Sequence, residues 1–283
     1  MAANEYIDVG PNGMVPEEAA TNGGVANAGD IVALNPSGQI DLSMLPPSTQ
    51  PLAGGTSTIV ANQLILGICL PVSGSLASNF SGSQASCQTT ATDASTFTVY
   101  HVAAGTNTQT EIGTIVFAAA SYTATFSSAS SVAVSPGDTI QVIAPATVDA
   151  TLAGISISLS FTPSVNIMSI SGGAGTLTAN SILLAYCSTV NGSVANNFSG
   201  SVGSCVSAAT GSATFPVFRI AVGTNTQTEI GTIVFGAGAY TATFETISGA
   251  NLNFDIGDTL LVLCPSTADA TLANVTCSIV GVN

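Results

Sequence analysis

The run GTNTQTEIGTIVF occupies positions 105–117 and returns unchanged at 223–235, an offset of 118 residues. Identity over that length is beyond chance, so the chain carries a duplicated structural unit. The match spreads outward, pairing YTATF at 122–126 with 240–244, and PATVDATLA at 145–153 with PSTADATLA at 265–273. The offset of this last block is 120, so two residues are gained between FSSASSVAVSPGDT and FETISGANLNFDIGDT. Insertions collect in connections, which places the gain in a hairpin-like loop.

Inside each copy, short runs rich in Val, Ile, Phe, Tyr and Thr (SILLAYC, TFPVFRIAV, TEIGTIVF, AYTATF, DTLLVLCP) are separated by Gly, Ser, Asn and Pro clusters. That is the pattern of β-strands and turns. In GISISLSF, Ile155, Ile157, Leu159 and Phe161 alternate with Ser156, Ser158 and Ser160, the period of a strand with one buried face. Seven or so such strands in about 110 residues predict an antiparallel sandwich. The fold class expected is therefore all-β, with two tandem antiparallel, jelly-roll-like sandwiches at 55–165 and 172–283. Between them, the stretch 163–175 contains Gly172, Gly173 and Gly175 and reads as a short linker. Residues 1–54 concentrate acids (Glu5, Asp8, Glu17, Glu18, Asp30, Asp41) among Gly, Pro and Asn, and read as an extended N-terminal segment that cannot bury a core alone.

Charge excludes several functions. One Arg and no Lys face fifteen Asp and Glu, for a net charge of -14. Nucleic acid and anionic lipid both require clusters of cations, so neither is an expected partner. The most apolar stretch, IVANQLILGICLPV, is interrupted by Asn62 and Gln63 and stopped by Pro71, which fits no transmembrane helix. The opening residues carry acids where a secretory signal carries basic residues, so synthesis in a cytoplasm is expected. With one His, no Trp and a single Arg, the catalytic inventory is nearly empty, and the chain is read as no enzyme. Glu111 and Glu229, each alone among uncharged neighbours, are the acids to weigh for glycosidic cleavage; no second carboxylate lies near either in sequence, a partner would have to be Asp138 or Asp258 across strands, and the simpler reading is a strand-edge charge.

Other residues carry structural expectations. His101 and Arg219 occupy equivalent repeat positions, as do Glu111 and Glu229. A hairpin turning at Thr106 or Thr224 would set His101 opposite Glu111 and Arg219 opposite Glu229, as cross-strand ion pairs worth about 0.2–1 kcal/mol. The six cysteines suggest disulfides Cys69–Cys87, Cys187–Cys205 and Cys264–Cys277, each worth about 3 kcal/mol, against a reading as reduced buried thiols. Lacking C-x-x-C pairs and a second His, the chain is expected to hold no metal and no cofactor. Asp138, Asp149, Asp258 and Asp269 lack calcium-loop spacing and read as turn or cap residues; Asn79-Phe80-Ser81 and Asn197-Phe198-Ser199 mark a repeated turn.

The run NAGDIVALNPSGQIDLSMLPP, residues 27–47, resembles attachment segments near the start of bacteriophage head-fibre and tail-fibre proteins. The likeness is carried by Asp30, Ile31, Val32, Ala33, Leu34 and Asn35, then Gly38, Ile40, Leu45 and Pro46. The repeats are similar to β-domains of phage fibres and capsid decoration proteins through IGTIVF and GDT followed by P-x-x-x-DATLA. Near absence of Lys departs from many such proteins. The resemblance implies a structural virion protein on the capsid surface, a head fibre or decoration protein. It would attach through residues 1–54 to the major capsid protein or another virion protein as a homotrimer, stabilise the particle and adhere to a host glycan. The alternative it implies is a receptor-binding tail fibre that recognises host polysaccharide.

Overall fold

Ile155, Ile157, Leu159 and Phe161 are all buried in a single strand whose serines face outward, as the alternation predicts. The structure, a computed structural model, describes residues 5–10, 13–18, 48–164, 168–189 and 191–282. The chain divides into two compact units, Met1–Ser48 and Thr49–Asn283. In the first, β1 (Glu5–Gly10) and β2 (Gly13–Glu18) form an antiparallel hairpin running from the Glu5–Glu18 pair to Gly10–Gly13. The candidate attachment residues, from Asp30 to Pro46, lie outside the described residues.

The second unit holds both repeats. Repeat 1 consists of β3 (Gln50–Thr56), β4 (Leu64–Cys69), β5 (Gly74–Leu76), β6 (Gln84–Ser86), β7 (Ser95–Val102), β8 (Gln109–Phe117), β9 (Ala124–Ser127), β10 (Val132–Val134), β11 (Thr139–Ile143) and β12 (Ile155–Pro163). Repeat 2 consists of β13 (Met168–Thr176), β14 (Ile182–Cys187), β15 (Gly192–Val194), β16 (Val202–Ser204), β17 (Ala213–Ile220), β18 (Gln227–Phe235), β19 (Ala242–Thr246), β20 (Leu252–Phe254), β21 (Thr259–Leu263) and β22 (Ala273–Val282). Each repeat is a sandwich of two five-stranded antiparallel sheets. In repeat 1 the first sheet runs β10-β5-β12-β3, with β6 also on β12, and the second runs β4-β11-β7-β8-β9. Repeat 2 reproduces both as β13-β22-β15-β20, with β16 on β22, and β14-β21-β17-β18-β19.

The two cores are copies of one another. Phe97 meets Phe117 edge-on at 5.8 Å in the first, and Phe215 meets Phe235 at 5.7 Å in the second. Around these rings pack Ile140, Val142, Ile157 and Leu159 in repeat 1, and Leu260, Val262, Val275 and Ile279 in repeat 2. Such interlocked aromatic and aliphatic burial is the main stabilising term of a sandwich.

Three sequence expectations change. The first sandwich begins at Gln50 rather than 55, and the proposed linker at 163–175 is largely β13, the edge strand of the second sandwich. The glycines there serve close approach, not flexibility: a Cβ on Gly172 would stand 2.6 Å from the Leu183 carbonyl oxygen, and one on Gly54 would stand 2.6 Å from that of Ile65. Edge strands of opposite sheets cross at these points, and only glycine lets the backbones meet. Finally, the length change lies between β9 and β10 in repeat 1 and β19 and β20 in repeat 2, a connection that passes from one sheet to the other instead of closing a hairpin.

Candidate functional site

Chain positions shared by the two repeats carry the same polar devices. The β7–β8 and β17–β18 hairpins form as expected, but a β-bulge interrupts each ladder after Val99 and after Val217. The extra residue is Ile112 or Ile230, and it shifts the pairing by one nearer the turn. Glu111 therefore stands opposite Tyr100, and Glu229 opposite Phe218, so the predicted His101–Glu111 and Arg219–Glu229 ion pairs do not form. A slip of one residue transfers a side chain to the other face of a sheet. Both glutamates are exposed.

The partners of the two basic side chains are instead Asp138 and Asp258. His101 Nε2 lies 2.8 Å from Asp138 Oδ2, and Arg219 Nε donates to Asp258 Oδ2 over 2.7 Å. Each carboxylate also accepts two backbone amides: Ser135 and Ala104 donate to Asp138, Asp255 and Val222 to Asp258. Burial works to raise both acids, but the amides and the basic side chain outweigh it and hold them below the usual carboxylate range. Each aspartate thus ties the turn before β11 or β21 to the end of β7 or β17. The sequence placed these acids in turns without finding their basic partners, because the partners are more than thirty residues away.

Asp149 and Asp269 hold a second repeated loop. Oδ1 of Asp149 accepts from the Thr151 hydroxyl and amide, while Oδ2 accepts from Thr92 and the Asp93 amide. Asp269 does the same with Thr271, Thr210 and Gly211. Both carboxyls are held well below the usual range, first by the threonine hydroxyl two residues on and then by the backbone amides and the facing threonine. The repeated Asn-Phe-Ser turns are 3-10 turns in which Asn79 and Asn197 adopt φ of 53° and 51°, a conformation asparagine tolerates.

All six cysteines are free thiols, so the three predicted disulfides are not present. Each of the two repeat-equivalent pairs divides its members between separate carbonyl acceptors. Cys69 Sγ lies 3.4 Å from the Gly137 oxygen and Cys87 Sγ 3.5 Å from that of Ser121. Repeat 2 places Cys187 against Gly257 and Cys205 against Ala239. Cys277 faces the second core, also the site of Cys264. Burial pushes the thiols of Cys69 and Cys277 up to about 12 and that of Cys205 up to about 11, which keeps them protonated and unreactive at neutral pH. Alkylation followed by intact-mass measurement should modify Cys187 alone in dilute native protein and all six after denaturation; a mass deficit of paired hydrogens before reduction would contradict this.

The most distinctive feature is the seam where the repeats meet. Strand β4, at the edge of a repeat 1 sheet, packs over β13, β22 and β16 of repeat 2. Thr139, Ser204 and Thr276 meet there through their hydroxyls, with Ser204 Oγ 3.2 Å from Thr276 Oγ1 and a short hydrogen bond between Thr139 and Ser204. The Ser278 hydroxyl donates to the Cys69 carbonyl, and the nearby Thr139 and Ser204 hydroxyls act on the Cys69 thiol against the larger rise that burial imposes. At the rim, Asn107 Nδ2 donates to the Tyr240 hydroxyl over 3.1 Å. Thr276 and Ser278 are 0% exposed, and their hydroxyls find partners both within repeat 2, at Ser204 and Ser171, and across the seam, at Thr139 and the Cys69 carbonyl, rather than in solvent. Sequence reasoning missed the seam because Ser156, Ser158 and their counterparts read as a solvent-facing strand surface.

Among the described residues, no three His, Cys, Asp or Glu side chains converge as a metal site requires, and no helix is long and apolar enough to cross a membrane. No protein-family model matches the chain, and no curated protein is significantly similar to it.

Proposed function

We propose that this chain is a structural virion protein of a bacteriophage, a head fibre or capsid decoration protein whose N-terminal segment attaches two fused sandwiches to the particle. The observation that supports it most is the hydroxyl-lined seam, which joins two copies of one module through short side chains and close backbones. This is how a building element is extended. The shared charged groups add to the reading, since Asp138, Asp149, Asp258 and Asp269 are all engaged in holding loops. The resemblance of residues 27–47 to phage attachment segments supports a place on the virion, and a homotrimer on the capsid is part of the same proposal.

Co-sedimentation of the purified full chain with phage capsids tests it. The full chain should bind at a fixed stoichiometry, and Ile31→Asp with Leu45→Asp should abolish binding without changing the melting of the sandwiches. Failure of the full chain to bind any capsid, together with polysaccharide binding by the sandwiches on a glycan array, would replace this reading with a receptor-binding tail fibre.

A further inference from the structure

The seam joins two different faces, and each repeat possesses both. Repeat 1 contributes the outer face of β4 and β11; repeat 2 contributes the outer face of β22, β13 and β16. The counterparts of these surfaces are left open at the two ends of the pair. On repeat 2 the open face carries Cys187, Ala185 and Thr259, equivalent to Cys69, Gly67 and Thr139. On repeat 1 the open face carries Ser86, Ser156 and Ser158, equivalent to Ser204, Thr276 and Ser278. Ser86, Ser156, Cys187 and Ala185 are exposed, whereas Ser204, Thr276, Ser278 and Cys69 are buried.

We propose that the chain binds a second copy of itself head to tail, the open face of repeat 2 seating on the open face of repeat 1 and repeating the internal seam between molecules.

Three observations carry this. The first is steric. A Cβ on Gly67 would approach Thr276 Cγ2 to 2.8 Å, so the internal seam needs glycine opposite threonine. At the open faces the residues are Ala185 and Ser156: the methyl group has been gained on one side and lost on the other. Contact between copies would conserve the packed volume, which matters because interfaces pack as densely as cores. The second is polar. Asn107 bonds Tyr240 inside the molecule, and the equivalent Asn225 and Tyr122 are both exposed, Tyr122 by 63%. The third is apolar. Ile182, the counterpart of Leu64 on the seam-forming strand, is 62% exposed. A large apolar side chain left in solvent suits a surface awaiting cover. Serine hydroxyls at 86, 156 and 158 lie around a shallow depression with Thr123 and Phe126, and Thr259 is the residue that would enter it.

Because the two faces differ and lie on different sandwiches, the contact is heterologous, and it continues from copy to copy until a ring closes. It is independent of attachment through the N-terminal segment.

A cross-link tests the geometry directly. Full chain carrying Ser86→Cys and Cys187→Ser, mixed with unaltered chain, presents a thiol on the receiving face to native Cys187 on the offering face, at the position where Ser204 meets Cys69. Oxidised glutathione should join the two into a covalent heterodimer seen on a non-reducing gel. Ala185→Arg in the unaltered partner should remove that product, as should Ser156→Arg in the receiving chain; both replacements lie at exposed positions and should leave the melting temperature unchanged. Native Cys187 should also react more slowly with iodoacetamide as protein concentration rises. Absence of the heterodimer at high protein concentration, or its formation at the same yield with either arginine in place, would overturn the proposal. Neither result bears on whether the chain binds capsids.

Discussion

Replacing Gly231 by alanine is expected to destabilise the sandwich unit by about 3 kcal/mol, a fall of roughly 6–12 °C in Tm. Gly231 stands beside the bulge in β18, and a Cβ there would lie 2.3 Å from the Glu245 carbonyl oxygen and 2.5 Å from the Phe198 ring. Neither obstacle can give way cheaply. The carbonyl belongs to β19, hydrogen-bonded to β18 along the ladder, and Phe198 is a fully buried ring on a turn with φ of 50°. Gly113 has the same surroundings in repeat 1, with Ser127 and Phe80, so Gly113→Ala should cost a similar amount. Gly211, with nothing within 4 Å of a Cβ, is the control, and Gly211→Ala should melt with the unaltered protein. Thermal unfolding followed by circular dichroism checks all three, and equal Tm values for Gly231→Ala and Gly211→Ala would contradict the steric account.

Asp258→Ala should cost about 3 kcal/mol, because it removes a buried acceptor and leaves the guanidinium and two backbone amides short of a partner. Arg219 keeps Asp255 at 3.6 Å, a pair in which Asp255 is largely exposed, and the Phe254 ring 5.7 Å from its guanidinium. The direction with pH follows from the carboxyl's depressed titration. Protonation in the unfolded chain begins near the ordinary value of about 4, while the folded chain resists it, so the stabilisation is complete above that value and is lost as pH falls through the folded-state value. Asp138, Asp149 and Asp269 are depressed as well and add to the same acid limb. Urea unfolding at pH 7 and near pH 3 should show a steep loss in the unaltered protein and a shallower one in Asp258→Ala. Parallel losses in the two would mean that Asp258 does not contribute through its charge.

Much of the architecture could be read before any coordinates. The duplication, the strand content and the inward face of β12 follow from local pattern, because alternation of Ile and Ser is a property of consecutive residues. Glycine was harder. Gly54 and Gly172 stand in strands, yet their neighbours look like linker, since nothing local announces that another backbone passes within contact distance. The ion pairs failed for a related reason: a hairpin's register can be counted from its turn only if no bulge intervenes, and Ile112 and Ile230 absorb one residue each. Equal cysteine spacing in the two repeats reflected the duplication itself, not a bond between the members.

What the sequence determined by itself is a twofold, antiparallel, charge-poor β-structure with its acids in turns, because strand periodicity and turn chemistry act over a few residues. Tertiary structure alone decided which acid meets which base, which cysteines are buried, and that Ser204, Thr276 and Ser278 line a seam while Ser86, Ser156 and Ser158 remain open. Two faces with nearly the same residues differ only in what is packed against them, and that is fixed by contacts between positions far apart in the chain.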